Sequence, residues 1–252
     1  MLIRRITKHL EDQNWFAVAL DMLVVIFGVY LGFQLNDWNE NRKSIEKGES
    51  YLQRIAGELE QDNRFFDNVI SINERNFENG QFLLNTIENK ELVNEDPTRF
   101  ITSLAFVGSS LVVNVSNNTI EEIKFSGNLE LIKDEELRNE IVDYYDFIEV
   151  SENFSHTPID AEIEYQKRTA GLLGPKYSEL GRNLSYTKEE ALPIYNQFVK
   201  KQDLIEWIPI TMASKRGTIG FSKRSRQNAK ELIAKIRGEE IPEEEEEEEV
   251  AQ

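Results

Sequence analysis

The chain contains no cysteine and only two histidines, His9 and His156. Disulfides, thiol catalysis and cysteine-based metal sites are thereby excluded, and histidine-based metal or triad chemistry has almost no material. His9 falls at the edge of an apolar run, and His156, just before Thr157-Pro158, reads as a helix-end residue rather than a base. No His-Glu-x-x-His, no phosphate-cradling glycine loop and no Gly-x-Ser-x-Gly occurs. The carboxylates are plentiful but fall at helical spacing, as on solvated faces. The sequence therefore assigns no catalytic residue, no metal ligand and no cofactor. Proline is scarce too, six residues with the first at Pro97.

Positive charge is also in deficit. The net charge is −17, and about half of it comes from nine glutamates, 239, 240 and 243–249, in the last fourteen residues. Such a balance argues against a nucleic-acid partner. A glutamate run cannot form a core, so residues 239–252 read as a disordered acidic tail.

What the chain does have is the stretch from Trp15 to Leu35, WFAVALDMLVVIFGVYLGFQL, with a single charge, Asp21. Its 21 positions make roughly 31 Å of helix, one hydrocarbon thickness. A cleaved signal peptide has a shorter apolar core and small residues at the cut, whereas this run ends in Phe33-Gln34-Leu35. The reading is a membrane anchor over residues 14–36, preceded by a basic segment, 1–13, that includes Arg4, Arg5 and Lys8. Trp15 and Trp38 stand where interfacial aromatics would, with Arg4 and Arg5 as further interface anchors. Three basic residues (Arg42, Lys43, Lys47) also follow closely, so the positive-inside count ties. The short basic start tips it to an N-terminus inside and the main domain outside.

Beyond the anchor, residues 37–238 read as one helical domain. Tyr51, Leu52, Ile55, Leu59, Phe66, Val69, Phe77, Leu84 and Ile87 recur at three- and four-residue steps, the stripe of one long helix that can continue from the span. Pro97 opens a short helix through Phe106. Phe100 to Ile120 is uncharged but rich in Ser, Thr and Asn, so it reads as buried helix plus loop, with Leu111–Val115 a short strand. Asn117 or Asn118 caps a helix closing at Gly127, and Asp134 caps another with the stripe Leu137, Ile141, Tyr144, Tyr145 and Ile148. Helices around 187–206 and 221–237 complete an antiparallel bundle. The expected fold is all-α: an N-terminal transmembrane helix, a long helix and an antiparallel helical bundle.

Two stretches carry a family resemblance. LVVIFGVYLGFQLNDWNENRK at 23–43 followed by YLQRIAGELEQD at 51–62, and TIEEIKFSGNLELIKDEELRNEIVDYY at 119–145, resemble a family of bacterial membrane proteins, the domain-of-unknown-function 6090 type. That family repeats an "LQ-x-N-x-W-N-E-x-R" signature after its anchor and a "T-Y-E-E-L-K-S-S-G-N-L-x-L-I" stretch. Phe125 stands where the second pattern has a small polar residue. The resemblance implies an N-terminal anchor in the bacterial inner membrane, a helical domain outside the cytoplasm and no assigned activity.

Two features invite a partner. At 100° per residue, Gly28 and Gly32 fall within about 20° of Asp21 around the helix, with Val25 beside them. Gly28-x-x-x-Gly32 lets a second helix approach closely. An acid inside a span costs about 2.5–3.5 kcal/mol at mid-helix, so it usually faces protein or water. A homo-oligomer or another membrane protein is the partner this face implies, beside the lipid bilayer itself. One class of function is a non-enzymatic anchored scaffold; the other is an accessory subunit of an ion- or proton-coupled complex, with Asp21 as carrier. The second feature is a basic patch, Lys215, Arg216, Lys223, Arg224, Arg226 and Lys230, directly before the glutamate run. The tail either shields that patch from anionic lipid or an acidic partner, or simply solubilises the chain end.

Overall fold

The computed structural model describes residues 15–156, 159–174 and 185–242. Helix α1, Trp15–Glu88, is 74 residues long, about 110 Å at the helical rise. No proline falls inside it, so one hydrogen-bonded ladder continues through both the apolar run and the bundle stripe. Two short helices follow, α2 (Glu91–Glu95) and α3 (Pro97–Phe106). Asp96 accepts the Arg99 N–H at 2.7 Å, and Pro97 occupies the first turn, where its missing N–H costs nothing.

The chain then runs without helix to Asn117 before α4, Asn118–Ser126, which Gly127 closes at φ 68°. A single 3-10 turn, Leu129–Leu131, crosses α1 at Gly48 so tightly that a Cβ there would lie 2.2 Å from the Leu131 carbonyl oxygen. Helix α5, Glu135–His156, starts where Asp134 accepts the Leu137 N–H at 3.0 Å. Helices α6 (Ile159–Leu173) and α7 (Lys188–Phe198) follow, the latter opened by a Thr187/Glu190 capping box. A four-residue helix, α8 (Gln202–Ile205), leads into α9, Trp207–Arg237.

The structure refines two sequence expectations. The helices expected around 187–206 and 221–237 are α7, α8 and one continuous α9, because Pro209 falls in the first turn of α9, where it displaces no hydrogen bond. The expected strand at Leu111–Val115 is extended backbone with no partner strand among the described residues. All the described regular structure is helical.

Helices α1 and α9 lie antiparallel, and two apolar cores form along them. The upper core joins Phe82 and Leu83 of α1 to Phe100 and Leu104 of α3, Tyr165 of α6 and Phe198 of α7. The lower core joins Tyr51, Ile55, Leu59 and Phe66 of α1 to Ile123 of α4, Ile141 of α5 and Leu232 of α9. Apolar burial at roughly 25 cal/mol per Å² is what holds these helices together. Polar residues occupy the level between the two cores.

Candidate functional site

The inner stripe of α1 reads Ile55, Leu59, Asp62, Phe66, Val69, Asn73, Asn76, Gly80, Leu83, and every one is buried. Its polar members meet the extended segment 109–117, whose backbone has no strand partner among the described residues. Asn73 Nδ2 donates to the Leu111 carbonyl at 2.9 Å and Asn76 Nδ2 to the Ser109 carbonyl at 2.7 Å. Glu152 accepts the Val115 N–H at 3.0 Å and Asp62 accepts the Ser116 N–H at 3.2 Å. Glu58 accepts both the Thr119 N–H, at 3.2 Å, and its hydroxyl, at 2.7 Å. That last contact replaces the expected cap: Asn117 precedes α4 but its side chain makes no capping bond.

Asp62 lies at the centre of this arrangement. Burial raises its carboxyl from the usual range to about 6; the Ser116 N–H opposes the rise and the Glu58 and Glu152 carboxylates add to it. Its Oδ2 has no hydrogen-bond partner, nor have the hydroxyls of Tyr144 and Tyr145, whose buried phenols are pushed well above the usual range. The two rings meet edge to face at 5.2 Å between centroids.

Several turns further along the bundle, at the level of Asn73 and Asn76, Lys215 of α9 is fully buried. Its Nζ lies 3.1 Å from Ser110 Oγ and 3.4 Å from Glu162 Oε1, and the Ser110 hydroxyl also bonds Glu162. Burial lowers the lysine, and the Glu162 carboxylate pulls it back up. A serine beside a desolvated lysine is a nucleophile arrangement in principle. Here the hydroxyl is committed to a carboxylate, and two cavities between the described helices lie elsewhere. One, of about 350 Å³, is lined by Asp143, Tyr144, Phe147, Arg224 and Leu232 among others; the other, of about 90 Å³, by Val115, Tyr145 and Glu152 among others. The triad instead ties α9, α6 and the extended segment together. Among the described residues, no group of three or more His, Cys, Asp or Glu is placed to hold a metal ion.

The residues of the expected basic patch are dispersed. Lys215 is interior, Arg216 lies over the Phe77 ring and Arg224 over Phe147, each at 5.2 Å. Lys223 pairs with Glu74 at 2.9 Å and Arg226 with Asp67 at 2.7 Å, while Arg237 pairs with Glu60 at 2.6 Å and Lys235 with Glu140. Glu60, Asp67 and Glu74 repeat every seven residues on α1, so they form an acidic row along the antiparallel helix. Lys230 also has a partner. The tail beyond Pro242 lies outside the described residues.

The other expected face is on α1. Arg4 and Arg5 lie outside the described residues, as do the side chains of Trp15, Asp21 and His156. Val25 and Trp38 are exposed, and a Cβ added at Gly28 or Gly32 would meet nothing within 4 Å. From Met22 to Leu35 the helix is exposed on every side, with Leu23, Leu31, Leu35, Val25 and Val29 spaced all round it. Among the described residues no helix is long and apolar enough to cross a membrane. The stretch from Met22 to Leu35 amounts to about 21 Å; the rest of the expected span, residues 14–21, has side chains outside the described set, Leu20 excepted.

Comparison with protein-family models, with curated proteins and with solved structures finds no match. The half-buried Glu58 and the buried Asp62, Asn73, Asn76 and Glu162 went unremarked in the sequence. For those on α1 the signal was there: polar side chains at or beside stripe positions, aligned with a polar, uncharged segment that needed partners.

Proposed function

We propose that the chain is a non-enzymatic scaffold of the bacterial inner membrane. Residues 14–36 span the bilayer, the N-terminus stays in the cytoplasm, and the bundle stands in the periplasm. The face of Asp21, Val25, Gly28 and Gly32 carries association with a second copy or another membrane protein. One observation supports this most: α1 is apolar on every face over Met22–Leu35, no described residue covers it, and it continues unbroken into the bundle. A helix apolar all round belongs in a protein core or in lipid.

The interior of the bundle agrees with a binding rather than a catalytic role. Its charged groups are spent on holding the extended segment and on joining α1, α6 and α9. The experiment is fractionation of the full chain from its bacterial host, with an alkaline carbonate wash and protease protection in spheroplasts. Retention in the washed membrane, with cleavage only from outside, is the expected result. Release by the wash overturns the anchor; cleavage from the cytoplasmic side reverses the orientation.

The carrier reading rests on the single acid within the apolar run. Asp21→Asn separates the two: a scaffold keeps its assembly with the amide, whereas a proton or cation carrier loses transport.

A further inference from the structure

Between the apolar run and the bundle, α1 crosses residues 36–47 with no other helix beside it among the described residues. Every large apolar residue here sits on one line. Leu35, Trp38 and Ile45 are 65%, 63% and 41% exposed, and the positions between them are Asn, Asp, Glu, Arg, Lys or Ser. The line extends downwards through Leu31, Gly28 and Val24 to Asp21. These positions alternate steps of three and four, a heptad pattern: Val24, Leu31, Trp38 and Ile45 are the d positions, and Asp21, Gly28, Leu35 and Arg42 the a positions.

We propose that this line is a seam for a second copy of the same chain, forming a parallel two-stranded coiled coil that starts in the span and continues through the stalk. It rests on the anchored, self-associating reading above, shares Asp21 and Gly28 with that face while taking Val24 and Leu31 in place of Val25 and Gly32, and extends beyond the bilayer. Ile45 lies about 15 Å past Leu35 at the helical rise, above the hydrocarbon edge, so lipid does not cover it. A seam with a period of 3.5 residues matches a partner of the same period. Two copies anchored with the same topology run parallel, so each heptad meets its own counterpart.

Two further features fit one copy as occupant. Arg42 is the polar a residue of the stalk part of the seam, as Asp21 is of the span; it lies over Trp38 at 5.7 Å and reaches Glu46 at 3.6 Å, and a polar a residue fixes register and strand number. The bundle leaves room. It packs on α1 through Gly48, Tyr51 and Ile55, a face about 90° around the helix from the seam.

The chain has no cysteine, so single substitutions report proximity without background. Full-length Trp38→Cys and Ile45→Cys are oxidised in native membranes beside Glu40→Cys and Lys43→Cys, which lie on the opposite side of α1. Disulfide-linked dimer at the first pair, and background only at the second, is expected. Equal cross-linking on both sides, or none at Ile45 and Trp38, overturns the seam. Mass photometry of the wild type, Ile45→Glu and Gly28→Leu in nanodiscs separates the two claims. Loss of dimer in both variants supports the continuous seam. Loss only in Gly28→Leu leaves the span contact and removes the stalk. A wild type that is monomeric removes self-association altogether.

Discussion

Lys215 Nζ and Glu162 Oε1 lie 3.4 Å apart in the interior of the bundle, the lysine wholly buried and the glutamate nearly so. The pair joins α9 to α6, and Ser110 adds the extended segment to the same contact. It is the point at which three parts of the chain, distant in sequence, hold one another. Burying such ions is costly, and breaking the pair leaves one charge without compensation.

Lys215→Met is therefore expected to lower stability by about 3 kcal/mol, read by thermal or urea unfolding in detergent. Adding Glu162→Gln to it removes the stranded charge and restores a large part of the loss. Equal stability of the single and double variants would show that the carboxylate pays no penalty when alone.

Asp62 sets a pH dependence of the opposite sign to an ordinary ion-paired acid. Its folded carboxyl titrates near 6, above the unfolded value of 3.8, so the folded state binds more protons between these limits. Its contribution to stability is present below about pH 4 and is lost as pH rises through 6. Asp62→Asn keeps an oxygen for the Ser116 N–H and removes the ionisation. The variant is expected to be more stable than wild type at pH 7.5 by on the order of 1–2 kcal/mol, with the difference vanishing near pH 4. A constant difference across that range would move the titration elsewhere.

Gly48 is a steric requirement. A methyl group there meets the Leu131 carbonyl at 2.2 Å, and the neighbour is backbone, which cannot swing aside. Gly48→Ala is expected to cost about 1–3 kcal/mol and to speed hydrogen exchange at residues 128–132, with α9 unaffected.

The basic side chains of α9 are already answered by Glu60, Asp67, Glu74 and Glu140. Truncation after Pro242 is accordingly expected to leave binding to anionic liposomes unchanged at low salt. Single exposed pairs are weak, so Asp67→Ala should cost less than about 1 kcal/mol. A large rise in liposome binding on truncation would show that the tail, rather than α1, screens the helix.

Much of this architecture was legible along the chain. Asp96-Pro97, Asp134 and Thr187-x-x-Glu190 start helices, and Gly127 and Gly238 end them, because capping depends on a few adjacent residues. Of the stripe from Tyr51 to Ile87, Tyr51, Ile55, Leu59, Phe66, Val69 and Phe77 are buried as their spacing required, Leu52 and Leu84 are half-buried, and Ile87 is exposed. The apolar, uncharged character of Met22–Leu35 and the heptad line above it are also properties of sequence alone.

Tertiary structure decided the rest. Lys215 belonged by composition to a basic surface, but α9 turns it inwards to Glu162, 53 residues away. Residues 111–115 had the composition of a strand, yet among the described residues no second strand lies beside them, and Asn73, Asp62 and Glu152 satisfy or flank their backbone instead. The acidic row that neutralises α9 comes from a helix some 150 residues earlier, as in the 159-residue separation of Arg226 and Asp67. Local chemistry sets where a helix begins, ends and shows its apolar side. Which charge meets which, and which polar groups are sealed from water, follows only once the helices have packed.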